Sequence, residues 1–579
     1  MQALNYDPLD YYNKKIKNEH ADSAIAYFDR LTSESGVDVP ENQRTVKKYD
    51  AECAAAEKQG KRAALYKALR VLAYIIAIGA AIAFIYGLFE DYVVSLVAFP
   101  ISLCAFLLIF LKLNKVIKNI MDIIAKHRAL ADKYLKEAQA QMAPLNALFD
   151  DEDTFRLLKK TLPDLEFKRH LTQEQEDDMM LNFDLPPYYN ADVSVTDTLA
   201  GSFKSNPFFF ERRLIRKMGT ETYHGYKVIT WQQRYRDSKG NIRTRTVSQT
   251  LHAQVTKPKP FYYTDTVLNY GAAGAPDLSF SRDNRHIEAK SDGAIDRMVK
   301  KGERKLKKKQ EKALKGGGTF TAMTNAEFDV LFDATNRDHE TQFRVMFSPL
   351  AQQNMVELLL SDDTYGDDFD FVKRKKHNVI HSDHSQSWNM DTSARNYISY
   401  SYDIARNNFL TFNNNYLKSV YFDFAPLFAI PVYQEELDVE RNKPPKPHNK
   451  YSDRECEVLA NAIGRRSFAH PATRTDVILK ARTVSSTDKY DTVRISANSY
   501  TTEDRIDFIP VLGGDGCMHA VPVPWKEYIP VEASSEMAIT YLGLSEREYT
   551  GGSPIAKDAL SMAGGRLHSY KNKLFAFKK

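Results

Sequence analysis

The sequence predicts an α+β membrane protein. It should have an N-terminal helical stalk with a two-helix transmembrane hairpin, followed by two mixed α+β cytoplasmic domains with mainly antiparallel sheets. Three observations predict this. Residues 71–89 and 92–111 are uncharged apolar runs separated only by Glu90 and Asp91. The segments flanking them are rich in Ala, Leu, Lys and Glu at helical spacing. From about residue 183 the texture changes to β-branched and aromatic runs punctuated by Gly, Pro and Asp.

The totals set bounds. A chain of 579 residues exceeds one hydrophobic core. With 43% hydrophobic and 27% charged residues, any membrane part is a small insert in a polar protein. A net charge of +5 does not mark a dedicated nucleic-acid binder. Cys53, Cys104, Cys456 and Cys517 form no CxxC pair and no disulfide framework, which fits a reducing compartment. The start, MQALNYDPLDYYNKK, has no apolar core of a signal peptide.

Residues 1–70 read as a cytoplasmic helical region in which Ala21, Ala24, Ile25, Phe28 and Leu31 share a face, broken by GVDVPEN at 36–42. The hairpin at 71–111 follows. Each run matches the roughly 20 residues a helix needs to cross about 30 Å of hydrocarbon. Lys58, Lys61, Arg62, Lys67 and Arg70 precede it, and Lys112, Lys115 and Lys118 follow, whereas the turn is acidic. The positive-inside rule therefore places both termini in the cytoplasm. Gly79, Ala83 and Gly87 on the first span, with Ala98 and Ser102 on the second, supply small residues for close helix packing. Neither span holds an ionisable residue, so they read as an anchor rather than an ion path.

Residues 112–165 continue as a membrane-proximal stalk that pairs antiparallel with the helix before the first span. The first α+β domain is expected at 183–435. In it, YKVITWQQRYR at 226–236 and IRTRTVSQTLHAQV at 242–255 flank the turn DSKGN as a long hairpin closed by Pro258 and Pro260. FYYTDTVLNY at 261–270 reads as a separate strand, the first half of 319–360 (which contains FDVLF) as a strand and connection, its second half after Pro349 as a helix, and 397–403 and 417–424 as strands. RNKPPKPHNK at 441–450 reads as a linker. A second α+β domain at 451–579 opens with a helix and then holds the strands TDVILKARTV, DTVRISANSY and RIDFIPVL.

FDVLFDATNRDHETQFRVMFSPLAQQNMVELL at 328–359, and more loosely YHGYKVITW at 223–231, resemble a group of uncharacterised bacterial two-span membrane proteins. These share a helical N-terminus, a membrane hairpin and a cytoplasmic domain of unknown function. The resemblance implies the architecture and no activity.

Several clusters carry candidate chemistry. His381 and His384 have a spacing that could ligate a metal if a third ligand joined them; a polar turn is the plainer reading. His339, beside Arg337, Asp338 and Glu340, could act as a general base, or sit in a charged turn. Cys517 and His519, with His470, could form a nucleophilic pair, although GGDGC is first of all a hairpin turn. SDDTYGDDFD at 361–370 lacks calcium-loop spacing. No cofactor signature is present, so none is expected.

The segment 297–315 is the least ordinary feature, with Lys300, Lys301, Arg304, Lys305, Lys307, Lys308, Lys309 and Lys312 among its ten basic residues. It reads as a solvated helix face or as a contact for anionic lipid headgroups. Nucleic acid is the least favoured partner for it, because aromatic residues for base stacking are absent. The expected partners are the lipid bilayer and a protein of unknown identity, with self-association left open. The function expected is a membrane-anchored scaffold or interaction protein. The alternative is a membrane-tethered enzyme, such as a hydrolase, with a site in 320–390 or around Cys517.

Overall fold

A computed structural model describes residues 7–90, 112–434, 441–444 and 449–540, apart from 237, 239, 488 and 489; it also describes scattered positions from 97 to 107, 568–570 and 574–578. The chain forms two compact units.

The helical unit comprises residues 21–153 and 392–414. Its principal element is one helix, Val39–Glu90, of 52 residues. Asn114–Leu148 runs back alongside it. The pairing is antiparallel: His127 Nδ1 meets Glu52 at 2.6 Å, and Arg70 donates to Asn114 at 3.3 Å. Ala63 packs with Ile120 and Ile124, and Ala73 with Leu113. The amphipathic face expected near the N-terminus forms, with Ala24, Phe28 and Leu31 buried. Phe28 joins Phe149, Tyr397 and Phe409 in an aromatic cluster with centroid separations of 5.0–6.0 Å.

Among the described residues one helix, over Val39–Tyr86, is long and apolar enough to cross a membrane, and only 6% of its most apolar window is buried. A core helix of a soluble protein would be mostly buried. The expected second span, 92–111, lies largely outside the described residues, so a hairpin of two transmembrane helices is not part of the described structure. Among the described residues of the first span, Ala73 and Ala77 are buried small residues. No described residue lies within 4 Å of a Cβ placed on Gly79, and Ala83 is half-buried. Ala98 and Ser102 lie outside the described residues, as does anything beyond the backbone of Gly87.

The β-rich unit comprises 1–20, 154–391 and 415–579. Its first sheet has seven strands: β1 Leu165–Lys168, β2 Val193–Phe203, β3 Asn206–Arg236, β4 Ile242–Gly271, β5 Ser279–Arg282, β6 Phe369–Arg374 and β7 His377–Ser382. Their order is β1-β2-β3-β4-β7-β6-β5. The second sheet holds β8 Ile478–Ser486, β9 Tyr490–Leu512, β10 Met518–Thr540, β11 His568–Tyr570 and β12 Leu574–Lys578, in the order β11-β12-β10-β9-β8. All the strand pairings are antiparallel, as expected.

The hairpins are longer than the sequence reading has them. β4 runs straight through Pro258 and Pro260, which pair with Thr220 and Met218 on β3. The two prolines have the same parity, so their missing N–H groups fall on one edge of the strand. β7 pairs with β4 only over Leu268–Gly271, which leaves that edge open at the prolines. β9 likewise fuses two expected strands into one of 23 residues.

Other elements differ in type. FDVLF is a helix, Ala326–Phe332, because the Asn325 side chain caps it by accepting the Phe328 N–H. The strand expected at 397–403 is mostly an irregular connection after the 3-10 turn Ala394–Asn396, and the one expected at 417–424 lies within a helix, Tyr402–Phe428. Its residues Leu417, Val420, Tyr421, Phe424 and Phe428 are all buried, and an apolar run of that kind does not separate buried helix from buried strand.

Residues on both sides of the 441–450 linker belong to the same compact unit. The junction is the helix Asp453–Phe468, which covers β8 and β9 with Cys456, Leu459 and Ala460 while presenting polar residues to the first sheet.

Candidate functional site

Three regions concentrate side-chain chemistry, all within the β-rich unit. The first is the polar seam beneath the helix Asp453–Phe468. Ser452 caps that helix, which fixes Arg454, Glu455 and Glu457 at its start. Glu455 accepts from His170 Nδ1 at 2.7 Å, from the Leu171 N–H at 3.1 Å and from the Thr198 hydroxyl. Arg454 pairs with Glu176 and lies 4.1 Å from the Tyr188 ring centroid. Glu457, fully buried, accepts from the Tyr188 hydroxyl at 2.6 Å, the Val195 N–H at 2.9 Å and Lys480 at 2.7 Å. Burial pushes the Glu457 carboxyl up to about 7, and burial pulls the Lys480 ammonium down. The three protons of Lys480 go to Glu457, the Tyr188 oxygen and the Val193 carbonyl. An amine so engaged has no lone pair to offer, so the seam is a latch between the two sheets.

A cleft of about 650 Å³ opens beside this latch, between residues 188–191 and the outer faces of β8, β9 and β10. Its cations are Arg216, Lys480, Arg482 and Arg494, and its acids Asp453 and Glu532. Arg216 is held by Asp192 at 2.7 Å, and Arg482 stands opposite Arg494 in the strand register. Lys480 is engaged in the latch, and the remaining charges nearly balance.

The second region gathers the histidines and the acidic run. His381 on β7 bonds Asp265 at 2.6 Å and Asp370 at 3.1 Å. Those two bonds raise its pKa to about 10. His384 is buried, stacked on Tyr365 at 3.9 Å, and bonded to Asp368 at 2.6 Å. Burial opposes its charge, but Asp423 and Asp368 outweigh that and raise its pKa. Asp367 pairs with Arg282 in full burial. Aspartates 367, 368 and 370 are therefore partners of specific cations. Among the described residues no group of three His, Cys, Asp or Glu side chains is placed to hold a metal ion.

The remaining candidates are separated. His339 caps the helix Glu340–Met346, its Nδ1 accepting the Gln342 N–H at 3.2 Å. Arg337 is buried between Asp329 and Glu340. His519 bonds Asp515 at 2.9 Å, and Cys517 is exposed in the turn before β10. His470 accepts the Ala472 N–H, on a connection whose Arg474 N–H bonds the Tyr500 carbonyl. From Tyr500 to the β9–β10 turn is roughly 40 Å of strand, so His470 does not reach Cys517.

The third region is the pair of long hairpins. β3–β4 and β9–β10 lie face to face through Ile229, Leu251 and Val521, with Trp231 and Val511 at the rim. A Cβ on Gly225 would fall 2.0 Å from the Pro522 carbonyl oxygen, so only glycine permits this approach. Lys257 bonds Asp507 at 2.7 Å and lies 4.2 Å from the Trp525 ring centroid. The outward faces carry large apolar side chains in water: Tyr226 and Val228 on one, Ile506, Phe508, Leu512 and Met518 on the other, each at least 57% exposed.

The basic segment is one helix, Asp292–Lys315. Leu306 is buried, Gly302 packs on Val330, and every lysine and arginine from 297 to 315 is exposed. Lys309 is not wholly available, since its ammonium donates to the Thr335 carbonyl and sits 4.5 Å from the Phe320 ring centroid.

Fold and surfaces together define an α+β protein with projecting β-ribbons and one helix long and apolar enough to span a membrane. No family model, curated protein or solved structure matches the chain.

Proposed function

We propose that this chain is a membrane-anchored interaction protein, with two spans, both termini in the cytoplasm, and the paired hairpins as its contact surface. The observation that carries it is the outward apolar face of those hairpins. Ile506, Phe508, Leu512 and Met518 stand in water on the outward face of β9–β10, and Tyr226 and Val228 on the outward face of β3–β4; large apolar side chains so exposed mark an interaction surface more often than a monomer's finished exterior. The anchor is supported by Val71, Leu72, Tyr74, Ile75, Ile76, Ile78, Ile82, Ile85 and Tyr86, all exposed along one helix. The two-span topology is supported by the antiparallel pairing of Val39–Glu90 with Asn114–Leu148, because the chain must return between them.

A photo-crosslinking residue at Phe508 or Tyr226 should yield discrete adducts in the membrane fraction, and one at the exposed Lys168 should not. Equal labelling at all three would remove the contact surface. Asp91→Cys should react with an impermeant thiol reagent from outside and Lys579→Cys should not; the reverse pattern would overturn the topology.

A further inference from the structure

The β3–β4 hairpin outreaches its neighbour. The turn of the second hairpin stops against it: Gly513 lies on Ile229, Gly514 on Trp231, and the Gly514 N–H donates to Gln249 at 2.7 Å. Beyond that point residues 232–236 and 241–246 are exposed on both faces of the ribbon. No core holds this tip, and a bare two-stranded ribbon is marginal by itself. Yet it is strongly charged. Residues 226–252 contain Lys227, Arg234, Arg236, Lys239, Arg243 and Arg245 against the single acid Asp237. The guanidinium of Arg245 is already oriented. It donates to the Gln233 amide oxygen from two nitrogens, at 3.0 and 2.8 Å, and lies 5.5 Å from the Tyr235 ring centroid.

We propose that this overhanging ribbon, residues 232–246, is an arm that docks in a groove of duplex DNA. The proposal rests on reading the hairpins as the contact surface and names a partner class for their tip. Charge complementarity is the first reason, since residues 232–246 hold five cations against one acid, and a ribbon with four excess positive charges seeks a polyanion. Shape is the second. Two strands about 4.8 Å apart, with their side chains, fit the roughly 12 Å major groove of B-form DNA, but not the narrow, deep groove of an A-form duplex. Chemistry is the third. Four of the cations are arginines, whose forks pair bidentately with phosphate and guanine, and Gln232, Gln233, Thr244 and Thr246 add hydrogen-bonding groups to the same stretch. A bilayer suits the tip less well, because the turn Asp-Ser-Lys-Gly-Asn has no apolar side chain to insert.

The test uses the full chain in neutral-lipid nanodiscs, with fluorescence anisotropy of a labelled B-form duplex about two turns long. Binding should weaken steeply with salt. Changing Arg234, Arg236, Arg243 and Arg245 together to Gln should lower affinity at 0.1 M salt by on the order of tenfold or more, and reduce the salt slope by about 3 to 4. The same four changed to Lys should keep the slope, which separates loss of charge from loss of the ribbon. Lys305→Gln with Lys307→Gln and Lys308→Gln should leave DNA binding unchanged. Unaltered affinity in the four-Gln variant would overturn the proposal. So would equal affinity for duplex RNA, or binding confined to anionic vesicles. Persistence of the Phe508 adducts alongside any such result would leave the broader interaction reading standing and remove only the DNA arm.

Discussion

At the scale of single residues, charge pairing decides what the titratable groups do. His381 is held protonated by Asp265 and Asp370, with its pKa raised to about 10. Because the folded value lies above the unfolded one, the stability it adds is present in full below about pH 6.5 and is lost as the pH rises toward 10. His381→Asn should therefore lower the melting temperature more at pH 6 than at pH 10, and an equal loss at both would remove the charged pair. Glycines give a second residue-level contrast. Gly225→Ala must push its Cβ into the Pro522 backbone and should cost about 1–3 kcal/mol, as overpacking does. Gly79→Ala meets none of the described residues and should be neutral or slightly stabilising in the same denaturation assay. Little of this was legible in the sequence. The spacing of His381 and His384 suggested a metal pair, yet their partners lie on β4, β6 and the helix Tyr402–Phe428, brought there only by the fold. The acidic run at 361–370 was the one signal that could have pointed to them, had its aspartates been read as answering distant cations.

At the scale of elements, the sequence was most readable where local chemistry rules. The basic helix ends at Gly316–Gly318 as a defined cap. Gly317 takes φ +71°, and the Gly318 N–H bonds the Ala313 carbonyl at 2.8 Å, which ties off the last turn. The exposed cationic face keeps the lipid reading open as a proposal. Lys305→Gln, Lys307→Gln and Lys308→Gln together should weaken binding of the chain's β-rich part to anionic vesicles, measured by co-sedimentation at low salt. Unchanged co-sedimentation would leave the face as solvated surface. The long strands were half legible. Alternation and the DSKGN turn located the first hairpin, but Pro258 and Pro260 read as stops. Proline tolerance depends on which edge is free, and that is known only once the neighbouring strands are placed.

At the scale of the whole chain, the linker at 441–450 misled for a related reason. Its composition marks a change of element, not the end of a core, and the latch on the far side joins both sheets. Removing one partner of that latch should be costly. Glu457→Ala or Lys480→Ala alone should destabilise the unit by about 3–5 kcal/mol, whereas replacing both by apolar residues of similar size should recover most of the loss. Urea unfolding of the three variants checks this, and a double variant as weak as the singles would show that packing, not the ion pair, matters there. The helix Val39–Glu90 has one more consequence. From residue 41 to 90 it contains no proline, and it runs unbroken from the polar region through the apolar one. Such a rod is a lever. Its polar arm, residues 39–70, spans about 47 Å at 1.5 Å per residue, so if the apolar part spans a bilayer, as proposed, a five-degree change of tilt imposed by a thicker or thinner bilayer would swing the arm's far end by roughly 4 Å.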